Sequence, residues 1–163
     1  MQRLTKGWMQ VMQLDSIVQA GLNFPKPVYD QAVLPPDITV LSSEQLAEMF
    51  TVLTGWADYI ASQLVQAQLE ERGASRQLEF AENTALVANT PPPKGVTMTV
   101  IKAKIDISPE INDLRDVLDV KYAYRKMMEM MLNNQERDIA LVSREITRRT
   151  SDQRAFRKDY GTT

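Results

Sequence analysis

The stretch NNQERDIALVSREITRRTSDQRAFRK, residues 133–158, carries Arg137, Arg144, Arg148, Arg149, Arg154, Arg157 and Lys158 in a chain whose formal net charge is -2. Arg137, Arg144 and Arg148 follow one another at steps of seven and four, which places them on one helical face. A line of forked, permanently charged guanidinium groups is suited to the phosphates of a nucleic-acid backbone. Phe156 and Tyr160 stand beside these cations, where they could stack on bases. Glu136, Asp138, Glu145 and Asp152 are interleaved with the cations, however. Ion pairing along the helix, and the affinity of a helix C-terminus for positive charge, therefore compete with phosphate binding. On charge pattern alone the ion-paired face weighs more.

Lys94, Lys102 and Lys104 form a second basic group. Val96, Met98 and Val100 alternate with Thr97 and Thr99 just before them, which predicts a short extended piece near 96–105. On such a piece Lys102 and Lys104 project from one face, to follow a backbone or simply to keep an exposed edge soluble. Asp106, Glu110, Asp113, Asp116 and Asp119 are acids of the kind that bind hard cations. Most of them fall in the first turns of a helix, where acids are favoured anyway, and no glycine-punctuated calcium loop accompanies them. The run MMEMM, residues 127–131, offers an adaptable apolar surface, but at helical spacing it reads as core.

The chain has no cysteine and no histidine. Thiolate chemistry, disulfides, the commonest general base and the commonest zinc ligand are thereby absent. No nucleophile elbow or phosphate-binding loop is present. The expectation is a non-enzyme without a cofactor or metal. No apolar run approaches the roughly 18 residues of a membrane span, and Gln10, Gln13 and Asp15 interrupt what would be the apolar region of a signal peptide. A cytoplasmic protein is expected, with no membrane partner.

The elements that carry these groups follow from periodicity. Leu4, Trp8, Val11, Met12, Leu14, Ile17 and Val18 predict a helix over 3–20, and the prolines at 25, 27, 35 and 36 predict an extended arm after it. Ser42 with Gln45 is a capping box. Beyond it, steps of four and three from Leu46 run through Phe50, Leu53, Ala57, Ile60, Leu64, Ala67, Glu71, Ala74, Leu78, Ala81, Ala85 and Ala88, with Glu71 as the polar interruption. A helix over about 43–88 is predicted, about 69 Å long at 1.5 Å per residue, with Gly55 and Gly73 as its weak points. The prolines of NTPPPKG end it. Ser108-Pro109-Glu110 starts a second helix over about 109–158. Its inward register is Ile111, Leu114, Leu118, Lys121, Arg125, Met128, Leu132, Gln135, Ile139, Val142, Ile146 and Arg149.

The expected fold is all-α. A long antiparallel helical hairpin spans 42–163, and an N-terminal helix and proline-rich arm span 1–41. At most a short extended segment interrupts the helices. Two thin helices bury little surface alone, so self-association is expected, with Leu46, Phe50, Leu53, Ile60, Leu64, Met128, Leu132 and Ile139 as the self-contact residues. Charge is segregated: residues 41–93 hold two basic and seven acidic side chains, whereas residues 121–163 hold ten basic and six acidic.

This order resembles phage recombination mediators of the UvsY type. The likeness lies in a long helix, then VTMTVIKAKIDISPEINDLRDVLDVKYAY leading into a second long helix, and a basic ending, RDIALVSREITRRTSDQRAF, with Ser143-Arg144 and Arg154-Ala155-Phe156 as the nearest matches. It extends over about residues 45–158. It implies a small helical protein that binds single-stranded DNA, assembles into rings and helps load a recombinase onto DNA coated by a single-strand-binding protein. The aromatic-basic signature of such proteins is reduced here to TPPPKGVTMTVIKAK, and the N-terminal arm is additional. Carried onto matching positions, the implied DNA contacts are Lys102, Lys104, Arg144, Arg148 and Arg154, and the basic patch continues through Arg157 and Lys158. The alternative is a structural or scaffold protein of a phage particle or multi-subunit complex, with no nucleic-acid contact and with its arginines paired to carboxylates.

Overall fold

The structure, a computed structural model, describes residues 24–160, with side chains described as far as residue 154. The predicted helix over 3–20 lies outside the described residues. The fold is all-α: helix α1 spans Ser43–Ala88, α2 spans Met98–Asp106 and α3 spans Pro109–Tyr160, with a 3-10 turn at Ile38–Val40 ahead of them. No strand occurs among the described residues. By its contacts the chain divides into two units, Met1–Gln63 with Met130–Thr163, and Leu64–Glu129.

The first unit starts from the capping box. Gln45 N donates to Ser42 Oγ at 3.1 Å and Ser42 N donates to Gln45 Oε1 at 2.8 Å, which satisfies two otherwise unpaired amides at the start of α1. Leu46, Leu53 and Val142 are fully enclosed and form the centre of the core. Ala32, Leu34, Leu41, Met49, Phe50, Ile139 and Ile146 pack round them. Each large aliphatic side chain so enclosed contributes about 1.5–3 kcal/mol. Gln135 lies against Leu53, and Ile146 with Arg149 lies by Leu46, so α1 and α3 run in opposite directions here.

The arm is the third layer of this unit. Ala32, Leu34 and Leu41 enter the core. Trp56 Nε1 donates to the Tyr29 carbonyl at 3.2 Å, and Gln31 Nε2 donates to Gln135 Oε1 at 2.8 Å. Lys26 lies over the Trp56 ring, 5.8 Å from its centroid. Gly55 is the residue that lets the arm approach, because a Cβ there would collide with the Tyr29 ring and hydroxyl. The described part of the arm therefore packs on α1 and α3 of its own chain.

In the second unit α1 and α3 again run in opposite directions. Glu70 meets Lys121, Glu71 meets Arg125 and Glu82 meets Arg115. The enclosed apolar side chains are small or few: Ala67, Ala74, Ile101, Ile111 and Met128. Ser108 Oγ accepts from Ile111 N at 3.3 Å at the start of α3.

Four expectations are corrected. The extended piece near 96–105 is the helix α2, because Met98, Ile101 and Ile105 recur at helical spacing and turn inward, with Ile101 buried, while Val100 is left exposed. The self-contact residues Leu46, Leu53, Ile60 and Met128 are buried within the single chain, and Phe50, Leu64, Leu132 and Ile139 are half-buried there, so these eight do not offer a free docking surface. The methionine run is core at Met128 and half-buried at Met131, whereas Met127 and Met130 are exposed. Gly73 neither ends nor interrupts α1, which continues to Ala88.

Candidate nucleic-acid interface

All twelve positions of the α3 inward register are buried or half-buried, including the four polar ones. Each polar member has a defined partner. Lys121 Nζ meets Glu70 at 2.7 Å, and Arg125 pairs with Glu71. Gln135, 2% exposed, donates to the Leu53 carbonyl at 3.2 Å and accepts from Gln31. Arg149 donates through Nη1 to the Leu41 carbonyl at 2.7 Å and through Nη2 to the Thr39 carbonyl at 2.9 Å. Arg149 is thus a clasp between α3 and the end of the arm, which only a forked donor can make.

Glu145 stands at the centre of the basic stretch. It is 6% exposed and accepts from both Arg148 and Arg149, with Arg148 gripping its two oxygens at 2.7 and 2.9 Å and Arg149 Nε at 2.7 Å. The hydrogen bonds from Arg148 and then Arg149 hold its carboxyl at about 2, well below the ordinary range for glutamate. Arg148 also reaches Asp152 at 2.8 Å. Two arginines and two carboxylates here make a neutral cluster. Arg148 is accordingly not the free phosphate ligand that the resemblance implies.

The remaining expected contacts are placed as follows. Arg144 and Arg154 are exposed, and neither has an ion pair among the described residues. Arg137, which shares the face of Arg144, has a side chain 69% exposed and meets Asp138 at 3.5 Å. One heptad separates it from Arg144, about 10.5 Å along the axis. Helical backbone continues through Arg157 and Lys158, whose side chains lie outside the described residues. Lys102 and Lys104 are exposed on α2 in the other unit and have no ion pair among the described residues. Two residues apart on a helix they point to different sides, so they do not form the single lysine-lined edge expected of an extended piece.

No group of histidine, cysteine, aspartate and glutamate that could hold a metal ion occurs among the described residues. Asp106 is instead held by Arg115, which also binds Glu82, both at 2.8 Å. No described helix is long and apolar enough to cross a membrane. The chain matches no protein-family model, no curated protein and no solved structure.

Proposed function

We propose that this chain is a non-enzymatic, oligomeric protein that binds single-stranded nucleic acid through the basic part of α3, in the manner of a recombination mediator that helps a recombinase onto DNA coated by a single-strand-binding protein. The observation that carries the reading is the pair Arg144 and Arg154. Both are exposed and lack carboxylate partners among the described residues, although four acids are interleaved in the same stretch. Glu145 and Asp152 are occupied by Arg148 and Arg149 and do not compete for them. Repetition of this modest patch by self-association raises its effective concentration along a strand. Continuation of α1 and α3 as one long hairpin is part of the same proposal.

The test is binding of a labelled single-stranded oligonucleotide by the double variant Arg144→Gln/Arg154→Gln. Each lost phosphate contact flattens the logarithmic salt dependence by about 0.7, so a loss of about 1.4 in slope is expected. An unchanged slope rejects these two residues as the contacts.

The scaffold reading is favoured by a different observation, the neutral cluster of Glu145, Arg148, Arg149 and Asp152. It makes the basic stretch an assembly element and predicts that Arg144→Glu abolishes self-association. The nucleic-acid reading predicts that the same variant still associates and loses oligonucleotide binding.

A further inference from the structure

Helix α1 has seven acids and two cations, and the two cations, Arg72 and Arg76, stand one turn apart. Neither has an ion pair among the described residues. The acids nearest to them are engaged elsewhere: Glu70, Glu71 and Glu82 are held by Lys121, Arg125 and Arg115 of α3. Glu79, three residues beyond Arg76, does not meet it within ion-pair distance. One further turn along the same line stands Phe80, 69% exposed. Arg72, Arg76 and Phe80 thus follow at about 6 Å intervals along the axis, and all three are exposed. Arg76 lies opposite the buried Ala67 and Ala74 on the helix, so the line looks away from the enclosed side of α1. Gly73 lies beside it, and nothing stands within 4 Å of where a Cβ would be, so the surface there is open.

We propose that Arg72, Arg76 and Phe80 form a second contact for single-stranded nucleic acid, with the two guanidinium groups on phosphates and the Phe80 ring against a base. Charge complementarity selects an anionic ligand, because the only cations of an otherwise acidic helix are gathered on one line and left unpaired. The forked geometry of arginine suits phosphate oxygens. The bare ring selects a single strand, which offers phosphates and open base faces on one chain, whereas a duplex keeps its base faces within the stack. The inference rests on the nucleic-acid reading above and extends it to the unit Leu64–Glu129, with none of the residues of the α3 basic stretch.

The test is binding of labelled oligothymidylate by the full-length protein over a salt series, with helicity followed by circular dichroism. All three side chains are exposed, so the variants are expected to keep the wild-type helicity. Arg72→Gln/Arg76→Gln is expected to flatten the logarithmic salt dependence by about 1.4, two contacts at about 0.7 each. Phe80→Ala is expected to weaken binding about tenfold and to leave the salt slope unchanged, because a stacked ring releases no counterion. Wild-type affinity and slope in both variants, with Arg144→Gln/Arg154→Gln still defective, overturns this contact and leaves the α3 contact standing. Absence of wild-type binding overturns both. Equal losses on a duplex of the same length overturn the assignment to a single strand. A smaller mass in solution for Arg72→Gln/Arg76→Gln than for wild type assigns the two cations to acids of a second copy and likewise overturns the proposal.

Discussion

Glu71 and Arg125 are the partners of one ion pair, Glu71 being the polar interruption of the α1 row and Arg125 one of the four polar positions of the α3 register. Their side chains are 23% and 18% exposed. Arg125 is held further by Glu129 at 3.2 Å and by the Tyr122 ring, 5.1 Å from its centroid. A charge placed in a seam is costly unless its partner lies opposite, and then it fixes which residue faces which. The pair therefore sets the register of α1 against α3 within its unit.

Removal of either charge is expected to lower thermal stability, because Glu71 is left half-buried without a partner and Arg125 is left with Glu129 alone. Glu71→Leu and Arg125→Met together are expected to recover most of the loss. A double-mutant cycle by thermal denaturation measures the coupling, and additive losses would show that the pair contributes nothing.

Acid sensitivity should centre on Glu145. Its carboxyl titrates at about 2 in the folded chain and near the ordinary 4.5 when unfolded. A depressed carboxyl contributes stability that is fully present above the unfolded value and is lost as pH falls towards the folded one. Stability should therefore decline between about pH 4.5 and pH 2, and Glu145→Gln should flatten that decline while lowering stability at neutral pH. Denaturant melts across this range test it.

The two helical glycines should answer differently to alanine. Nothing stands within 4 Å of a Cβ at Gly73, so Gly73→Ala should stabilise by about 1 kcal/mol, the ordinary helical advantage of alanine. At Gly55 the Tyr29 hydroxyl occupies that space, and Gly55→Ala should push the Tyr29 side chain aside, loosen its contact with α1 and lose stability relative to Gly73→Ala. Chemical denaturation of both variants, with Trp56 fluorescence reporting the arm, separates the effects.

Gln135 should resist replacement by an apolar residue despite its place in an apolar row. Gln135→Leu removes the second donor to the Leu53 carbonyl, which keeps its intrahelical bond, and the acceptor of the exposed Gln31 amide, and should cost about 0.5–1.5 kcal/mol. A neutral result would mean that water replaces the lost partner at no cost.

Much of this was legible in the sequence because helix signals are local. Ser42 with Gln45, Ser108-Pro109 and the triple proline set the helix ends, and the α3 register is inward at every position. The polar members of that register could not be assigned partners from spacing alone, since Arg149 reaches carbonyls more than a hundred residues away. Residues 98–106 misled because β-branched alternation covers too few residues to separate a strand from a helix, whose inward Met98, Ile101 and Ile105 are equally present. The basic stretch was legible as composition only. Which arginines are neutralised depends on Glu145 being turned inward, and spacing does not show that.

The most direct test is a comparison of Arg144→Gln with Arg148→Gln for binding of a labelled single-stranded oligonucleotide over a salt series. The account predicts wild-type binding that weakens steeply with salt. Arg144→Gln should weaken binding, whereas Arg148→Gln, which removes a cation already neutralised by Glu145 and Asp152, should do so far less. Absence of wild-type binding at low salt would contradict the account and leave a helical assembly protein.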